Sequence, residues 1–147
     1  MTYPANDKFI MKYTYDFARD GGAVSTISLT ADINALEENM VVEEIQLQVK
    51  TALASAGTPT VTLGNTGDPN GYFADIWALA QTDNAVINSG SVAGALIYDD
   101  TNDHRIHYRI DSTANNQDLV MDIGTAALTA GKIEVLLTCS AVVQAVS

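Results

Sequence analysis

Cysteine and cationic residues are both scarce in this sequence. The single cysteine, Cys139, has no partner within the chain, which excludes an internal disulfide framework. Lys and Arg together number 7, against 18 Asp and Glu, and the formal net charge is −11 at pH 7. Proteins that bind nucleic acids or anionic membranes concentrate cations on their surface. We therefore expect neither nucleic acid nor a membrane as a partner.

Long apolar runs are also lacking. No stretch approaches the roughly 20 consecutive apolar residues that a membrane-spanning helix needs. The first residues, Met1-Thr2-Tyr3-Pro4, have neither the basic region nor the apolar region of a secretory signal. The sequence therefore predicts a soluble protein that is not secreted through a cleaved signal.

The sequence does contain enough apolar residues for one core. Its 147 residues are 47% hydrophobic and 17% charged, which is typical of a single globular domain. Residues 1–8 show no periodic pattern, whereas alternation begins at Phe9. We predict an N-terminal arm over residues 1–8 and one domain over residues 9–147.

Apolar residues recur at every second position, which is the repeat of a half-buried strand. The clearest cases are residues 9–17 and 42–51, and a hairpin return is expected over residues 24–30. Further strands are predicted over residues 58–63, 92–98, 106–110, 119–123 and 132–143. About eight strands without helices between them predict an antiparallel β-sandwich of jelly-roll type. The predicted inward face includes Ile45, Leu47, Val49, Ile106, Tyr108, Ile133, Val135 and Leu137.

Three segments are predicted to interrupt the strands. Asp32 and the acidic residues after it favour one helical turn near residues 32–38. Residues 64–71 hold three glycines and a proline and predict a loop. The spacing of the apolar residues in 72–79 favours a short helical turn that closes one end of the sandwich.

Residues that bear chemistry do not form a catalytic pattern. His104 and His107 lie three positions apart on a predicted strand, which sends them to opposite faces and makes a shared metal ion unfavourable. Residues 99–103 fail the EF-hand template, which requires Gly and Glu where His104 and Ile110 stand. Cys139 is predicted to be a buried small hydrophobe. We predict no enzymatic activity and no cofactor.

The sequence is compatible with two ligand sites. An irregular calcium site built from Asp68, Asp75 or the acidic residues of 99–103 is compatible with the flexible coordination of Ca²⁺, although solvated turn residues explain them more simply. Tyr72, Phe73 and Trp77 either close one end of the core or form an aromatic platform for sugars. The second alternative would make the chain a carbohydrate- or host-receptor-binding module of a tail or head fibre.

Four stretches, in their order and composition, point to a known group of proteins. They are residues 42–52, 57–64, 67–74 and 128–135. Together they resemble the small β-sandwich structural proteins of tailed bacteriophages, in particular capsid decoration or cement proteins with a jelly-roll body. The resemblance covers residues 41–143.

The resemblance implies a structural virion protein that is assembled in the cytoplasm of a bacterial host. It implies a place on the outer surface of the phage capsid, commonly as a homotrimer at threefold positions, with the major capsid protein as partner. There it would stabilise contacts between neighbouring capsid subunits. In that setting the arm would reach outward, and we expect Tyr3, Pro4, Lys8 and Phe9 to contact the partner.

Overall fold

The alternating segments pair into two antiparallel sheets that face each other across one apolar core. The computed structural model describes residues 8–88, 94–99 and 104–141. The strands are β1 (Lys8–Asp16), β2 (Ser25–Ser28), β3 (Thr30–Ile33), β4 (Met40–Ser55), β5 (Thr60–Asn65), β6 (Asp68–Phe73), β7 (Val86–Asn88), β8 (Tyr98–Asp99), β9 (His104–Arg105), β10 (Tyr108–Arg109), β11 (Val120–Gly124) and β12 (Leu128–Ala141). A single-turn helix, α1 (Phe17–Asp20), follows β1, and a 3-10 turn spans Ala114–Asn116. No described helix is long and apolar enough to cross a membrane.

The topology is that of a jelly roll. Sheet A has the order β10-β4-β12-β1-β3, with β7 also beside β4, and sheet B has the order β2-β11-β5-β6. Eight strands build the jelly roll, because β10, β4, β12 and β1 are consecutive in one sheet and β2, β11, β5 and β6 are consecutive in the other. In the part of the chain that is described, β3 and β7 are short additions to sheet A, and β8 and β9 pair with each other in a separate two-stranded sheet. The predicted fold class is confirmed.

The core lies between the sheets and confirms most of the predicted inward face. Ile45, Leu47 and Val49 of β4 are buried, as are Ile133, Val135 and Leu137 of β12. Ile106 and Tyr108 are half-buried, and the Tyr108 side chain packs against the core. Tyr108 belongs to β10, an edge strand of sheet A, and Ile106 precedes that strand.

Residues 24–30 do not form the predicted hairpin with β1. Helix α1 is capped by the Asp16 carboxylate, which accepts from the Ala18 N–H at 3.0 Å, and it ends at Gly21 with a φ of 76°. The helical turn carries the chain across to sheet B, where β2 pairs with β11. The chain then returns to sheet A, where β3 pairs with β1.

The predicted helical turn near residues 32–38 is absent. Asp32 is extended in β3, and its carboxylate accepts a hydrogen bond from the Thr14 hydroxyl, so it does not cap a helix. The Leu36 N–H donates to the Tyr13 hydroxyl at 2.9 Å, and the Leu36 side chain is buried. These tertiary contacts override the weak local preference for a helix.

The predicted loop over residues 64–71 is a tight hairpin between β5 and β6. Thr66 and Gly67 form its turn, and the Asp68 N–H donates to the Asn65 side-chain oxygen at 2.8 Å. A Cβ at Gly64 would lie 2.0 Å from the Asp68 carbonyl oxygen, so this glycine permits close approach of the two strands. The glycine-rich composition of residues 64–71 therefore serves close packing of the two strands as well as the turn.

Three further boundaries differ from the prediction. Tyr72 and Phe73 belong to β6, and the helical turn comes later, where the Ala80 N–H donates to the Ile76 carbonyl at 2.9 Å. Of the predicted strand 92–98, residues 95–97 form a turn and Val92 lies outside the described residues. Strand β12 starts earlier than expected, and residues 142–143 also lie outside the described part.

Candidate functional site

All four lysines of the chain lie on the outer face of sheet A. Lys8 and Lys12 alternate with the buried Met11 and Tyr13 of β1, so their side chains point away from the core. The same alternation directs the two remaining lysines outward: Lys50 on β4 and Lys132 on β12. A chain with a net charge of −11 thus gathers its ammonium groups on one surface.

Glu134 lies at the centre of this surface and binds two of the lysines. It forms ion pairs with Lys12 and, at 3.0 Å, with Lys50. Strands β1 and β4 bring these lysines to either side of β12, because Thr14 and Gln48 flank Glu134 in the sheet. Burial raises the pKa of Glu134, but the hydrogen bonds and charges of both lysines outweigh it, and the pKa lies below its usual value.

A second charged group lies at the end of the sheet where β1 begins. Lys8 forms an ion pair with Glu43. Hydrogen bonds from Lys8 and Ser140 are the main causes that lower the pKa of Glu43. Lys8, Glu43, Glu44, His107 and Thr138 line a shallow groove there.

A neighbouring groove on the same face is less charged. Ile10, Glu44, Ile45, Gln46, Asn88, Leu136 and Thr138 line it. Ile10 is 41% exposed, which is unusual for a large hydrophobic side chain of this protein. The Gln46 amide donates to the Asn88 side-chain oxygen at 3.1 Å, and the Gln48 amide donates to Gln46 at 2.9 Å. The groove thus combines an exposed apolar side chain with hydrogen-bonded amides.

The outer face of sheet B has a different composition. Thr26, Thr60 and Thr62 lie on it, and the Thr26 hydroxyl donates to the Asp122 carboxylate at 2.6 Å. The Thr62 hydroxyl donates to the Pro69 carbonyl at 2.9 Å. None of the lysines contributes to this face, as all four belong to sheet A.

The residues that we predicted as partner contacts divide into two groups. Lys8 and Phe9 are the first residues of β1, where they pair with Ser140 and Cys139 of β12. Strand pairing therefore includes Lys8, the last residue of the predicted arm. The Phe9 ring is partly buried against the core, and Lys8 borders the outer face. Tyr3 and Pro4 lie outside the described residues.

The other candidate ligands do not come together. Asp75 caps a turn, with its carboxylate accepting from the Val61 N–H at 3.3 Å and the Trp77 N–H at 3.0 Å. His107 is exposed, whereas the side chain of His104 and residues 100–103 lie outside the described part. Within the described ranges, no three His, Cys, Asp or Glu side chains are grouped as a metal site would require.

The remaining candidate residues, Cys139 and three aromatic residues, are wholly or partly buried in the core. Cys139 is buried in the core, and burial raises the pKa of its thiol to about 12, so the reactive thiolate is disfavoured. Tyr72 and Phe73 are fully buried, and Trp77 packs partly against the core. Two of the three rings that were considered as an alternative sugar platform are thus core residues.

Glu134 and its two lysines were not singled out from the sequence. The alternation did place Lys12 and Lys50 on the polar sides of their strands. Their common partner depends on the register of β12 against both neighbours, which no local pattern specifies.

Two solved structures are similar to this chain. The chain is similar to a chain of the cyanophage Pam1 capsid asymmetric unit, with a TM-score of 0.61 and 14% sequence identity over 96% of this chain and 92% of that one. A chain from the acid-stable capsid of the Helicobacter pylori bacteriophage KHP30 aligns with a TM-score of 0.47 and 16% identity, over 93% and 90% of the two chains. No protein-family model and no curated protein matches the sequence.

Proposed function

We propose that the protein is a structural component of a bacteriophage virion and that it binds the outer surface of the capsid as a decoration protein. The alignment with the Pam1 capsid chain carries this proposal, because it covers nearly the whole of both chains. Bound there, the protein would stabilise contacts between neighbouring major capsid subunits. The resemblance seen in the sequence supports the same role and implies copies arranged as a homotrimer.

The outer face of sheet A is the proposed docking surface. With a net charge of −11, the molecule is repelled by any acidic partner, and the repulsion is weakest where cations are concentrated. The ion pairs of Glu134 and Glu43 hold three lysine side chains in place before binding, so less side-chain entropy is lost on docking. Ile10 and Leu136 supply apolar area between these charged groups.

The N-terminal arm is the second part of the proposed contact. Lys8 and Phe9 pair with β12, and Lys8 borders the docking surface. We propose Tyr3 and Pro4, with Lys8 and Phe9, as contacts of the capsid. Several arms from one trimer would act together through their high effective concentration on the capsid.

Co-sedimentation with phage heads that lack the protein tests the docking surface. Ile10→Asp adds a negative charge in the groove, and we expect it to weaken binding at least about tenfold, which is about 1.4 kcal/mol. Thr60→Asp adds the same charge on the exposed face of sheet B and serves as the matched control. We expect the control to bind within about twofold of the wild type. Equal binding by both variants would exclude sheet A as the docking surface.

A further inference from the structure

Strand β2 is an open edge of sheet B. It pairs with β11 on one side, and within the described residues no strand lies on its other side. The Leu29 N–H donates to the Leu119 carbonyl at 2.9 Å, directly beyond the pair Ser28 and Val120. Because hydrogen-bonded pairs alternate in an antiparallel ladder, the backbone N–H and C=O groups of Thr26 and Ser28 point away from β11.

The edge strands β3, β6 and β10 of the sandwich are protected. The edge strand β6 contains Pro69, and the Leu96 N–H donates to the Gly71 carbonyl at 2.9 Å, so a loop covers that edge. Strand β3 carries the charged Asp32, and β10 carries Arg109. Proline, charge and loop cover are the usual means by which proteins prevent edge pairing. Residues 21–31, which contain β2, include neither proline nor a charged residue. Among the described residues, no loop backbone hydrogen-bonds to Thr26 or Ser28.

We propose that β2 pairs in antiparallel orientation with β2 of a second copy of this chain across a two-fold axis. Thr26 would lie opposite Ser28 of the second copy, and Ser28 opposite its Thr26. These are the residues whose backbone groups point outward, so the pairing forms four hydrogen bonds between the copies. The two four-stranded sheets become one sheet of eight strands.

Side chains at this edge favour a copy of the same chain as the occupant. The axis passes beside Ile27, whose side chain points inward and packs against the core but is only half-buried. Pairing places the two Ile27 side chains directly opposite each other, which extends both cores across the contact. The neighbouring Val24 is 56% exposed. An uncharged segment is also where two molecules of net charge −11 repel each other least.

This contact goes beyond the proposed function and does not use the docking surface. Strand β2 belongs to sheet B, whereas the proposed capsid contact is on sheet A. The contact is small, so we expect weak association in dilute solution and stronger association where a lattice holds copies close together. It would link copies that belong to neighbouring trimers.

Sedimentation velocity on the full chain without capsids tests the pairing. We expect the mass of the smallest species to double as protein concentration rises. Thr26→Pro removes an outward N–H and places a ring in the contact, and we expect the doubling to require at least tenfold more protein. Val86→Pro is the matched control. Because the Val49 N–H donates to the Ala85 carbonyl, the Val86 N–H points away from β4, the strand with which β7 pairs among the described residues. We expect the control to leave the doubling unchanged.

Amide hydrogen exchange on the wild-type protein keeps the test independent of variant folding. The Thr26 and Ser28 amides should exchange rapidly at low concentration and become protected as the mass doubles. The Ile27 amide faces β11 and should be protected at both concentrations. A wild type that never doubles, doubling that survives Thr26→Pro, or Thr26 and Ser28 amides unprotected in the doubled species would each overturn the proposal. None of these outcomes depends on capsid binding, so the proposed function is tested separately.

Discussion

The two sheets share one core but differ in what their outer faces present. Sheet A carries ion pairs around a buried Glu134 and an exposed Ile10. Sheet B carries threonine hydroxyls that are bonded within their own sheet, such as Thr26 to Asp122. The inward faces of both sheets are mainly apolar and form the shared core. The outer face of sheet A therefore presents charged and apolar side chains, whereas the edge of sheet B at β2 presents backbone groups.

The largest expected effect tests which face of sheet A is inward. Leu47 is fully buried in the middle of β4. Leu47→Asp would place an unpaired charge in the core, and we expect a loss of about 4 kcal/mol or more in the free energy of unfolding. Thermal denaturation measures this loss. An unchanged melting temperature would show that the two faces are reversed.

A smaller effect separates the outer faces. Glu134→Ala leaves Lys12 and Lys50 close together without their common partner, and we expect a loss of about 1–2 kcal/mol because both lysines are partly exposed. Asp122→Ala removes one surface hydrogen bond on sheet B and should cost about 0.5 kcal/mol. Urea denaturation of both variants provides the comparison. Equal losses in the free energy of unfolding would mean that the ion pairs of Glu134 stabilise sheet A no more than the Thr26–Asp122 hydrogen bond stabilises sheet B.

The smallest expected effect is on the loss of stability at acidic pH. The pKa of Glu134 lies below its usual value of 4.5, so the folded state binds fewer protons at this site than the unfolded state as the pH falls. The stabilisation is therefore complete above about pH 5 and is lost as the pH falls through the folded-state pKa. Glu134→Gln should give a flatter decline of melting temperature between about pH 5 and pH 3 than the wild type. Identical slopes would show that Glu134 does not contribute.

Some parts of this fold follow from local patterns, and others do not. Strands β4 and β12 were predictable because their alternation is long and regular. The hairpin at Thr66 and Gly67 was not, because Gly64 and Gly71 resemble loop residues although they serve close packing. The segment that contains Asp32 was wrongly predicted as a helical turn. Its conformation depends on contacts with Thr14 and Tyr13 of β1, which are distant in sequence. Local sequence reports backbone preference, whereas these positions are decided by tertiary neighbours.

The same distinction between local pattern and tertiary structure applies to the candidate surface. The sequence by itself determined the acidic charge, the two-residue alternation and hence an antiparallel sandwich with lysines on polar strand faces. Only the tertiary structure decided that all four lysines share one face, that Glu134 joins two of them, and that β2 keeps an open edge. Alternation specifies the side of each strand on which a residue lies, because successive side chains point in opposite directions. It does not specify strand order or register, which depend on how distant strands pack their buried faces.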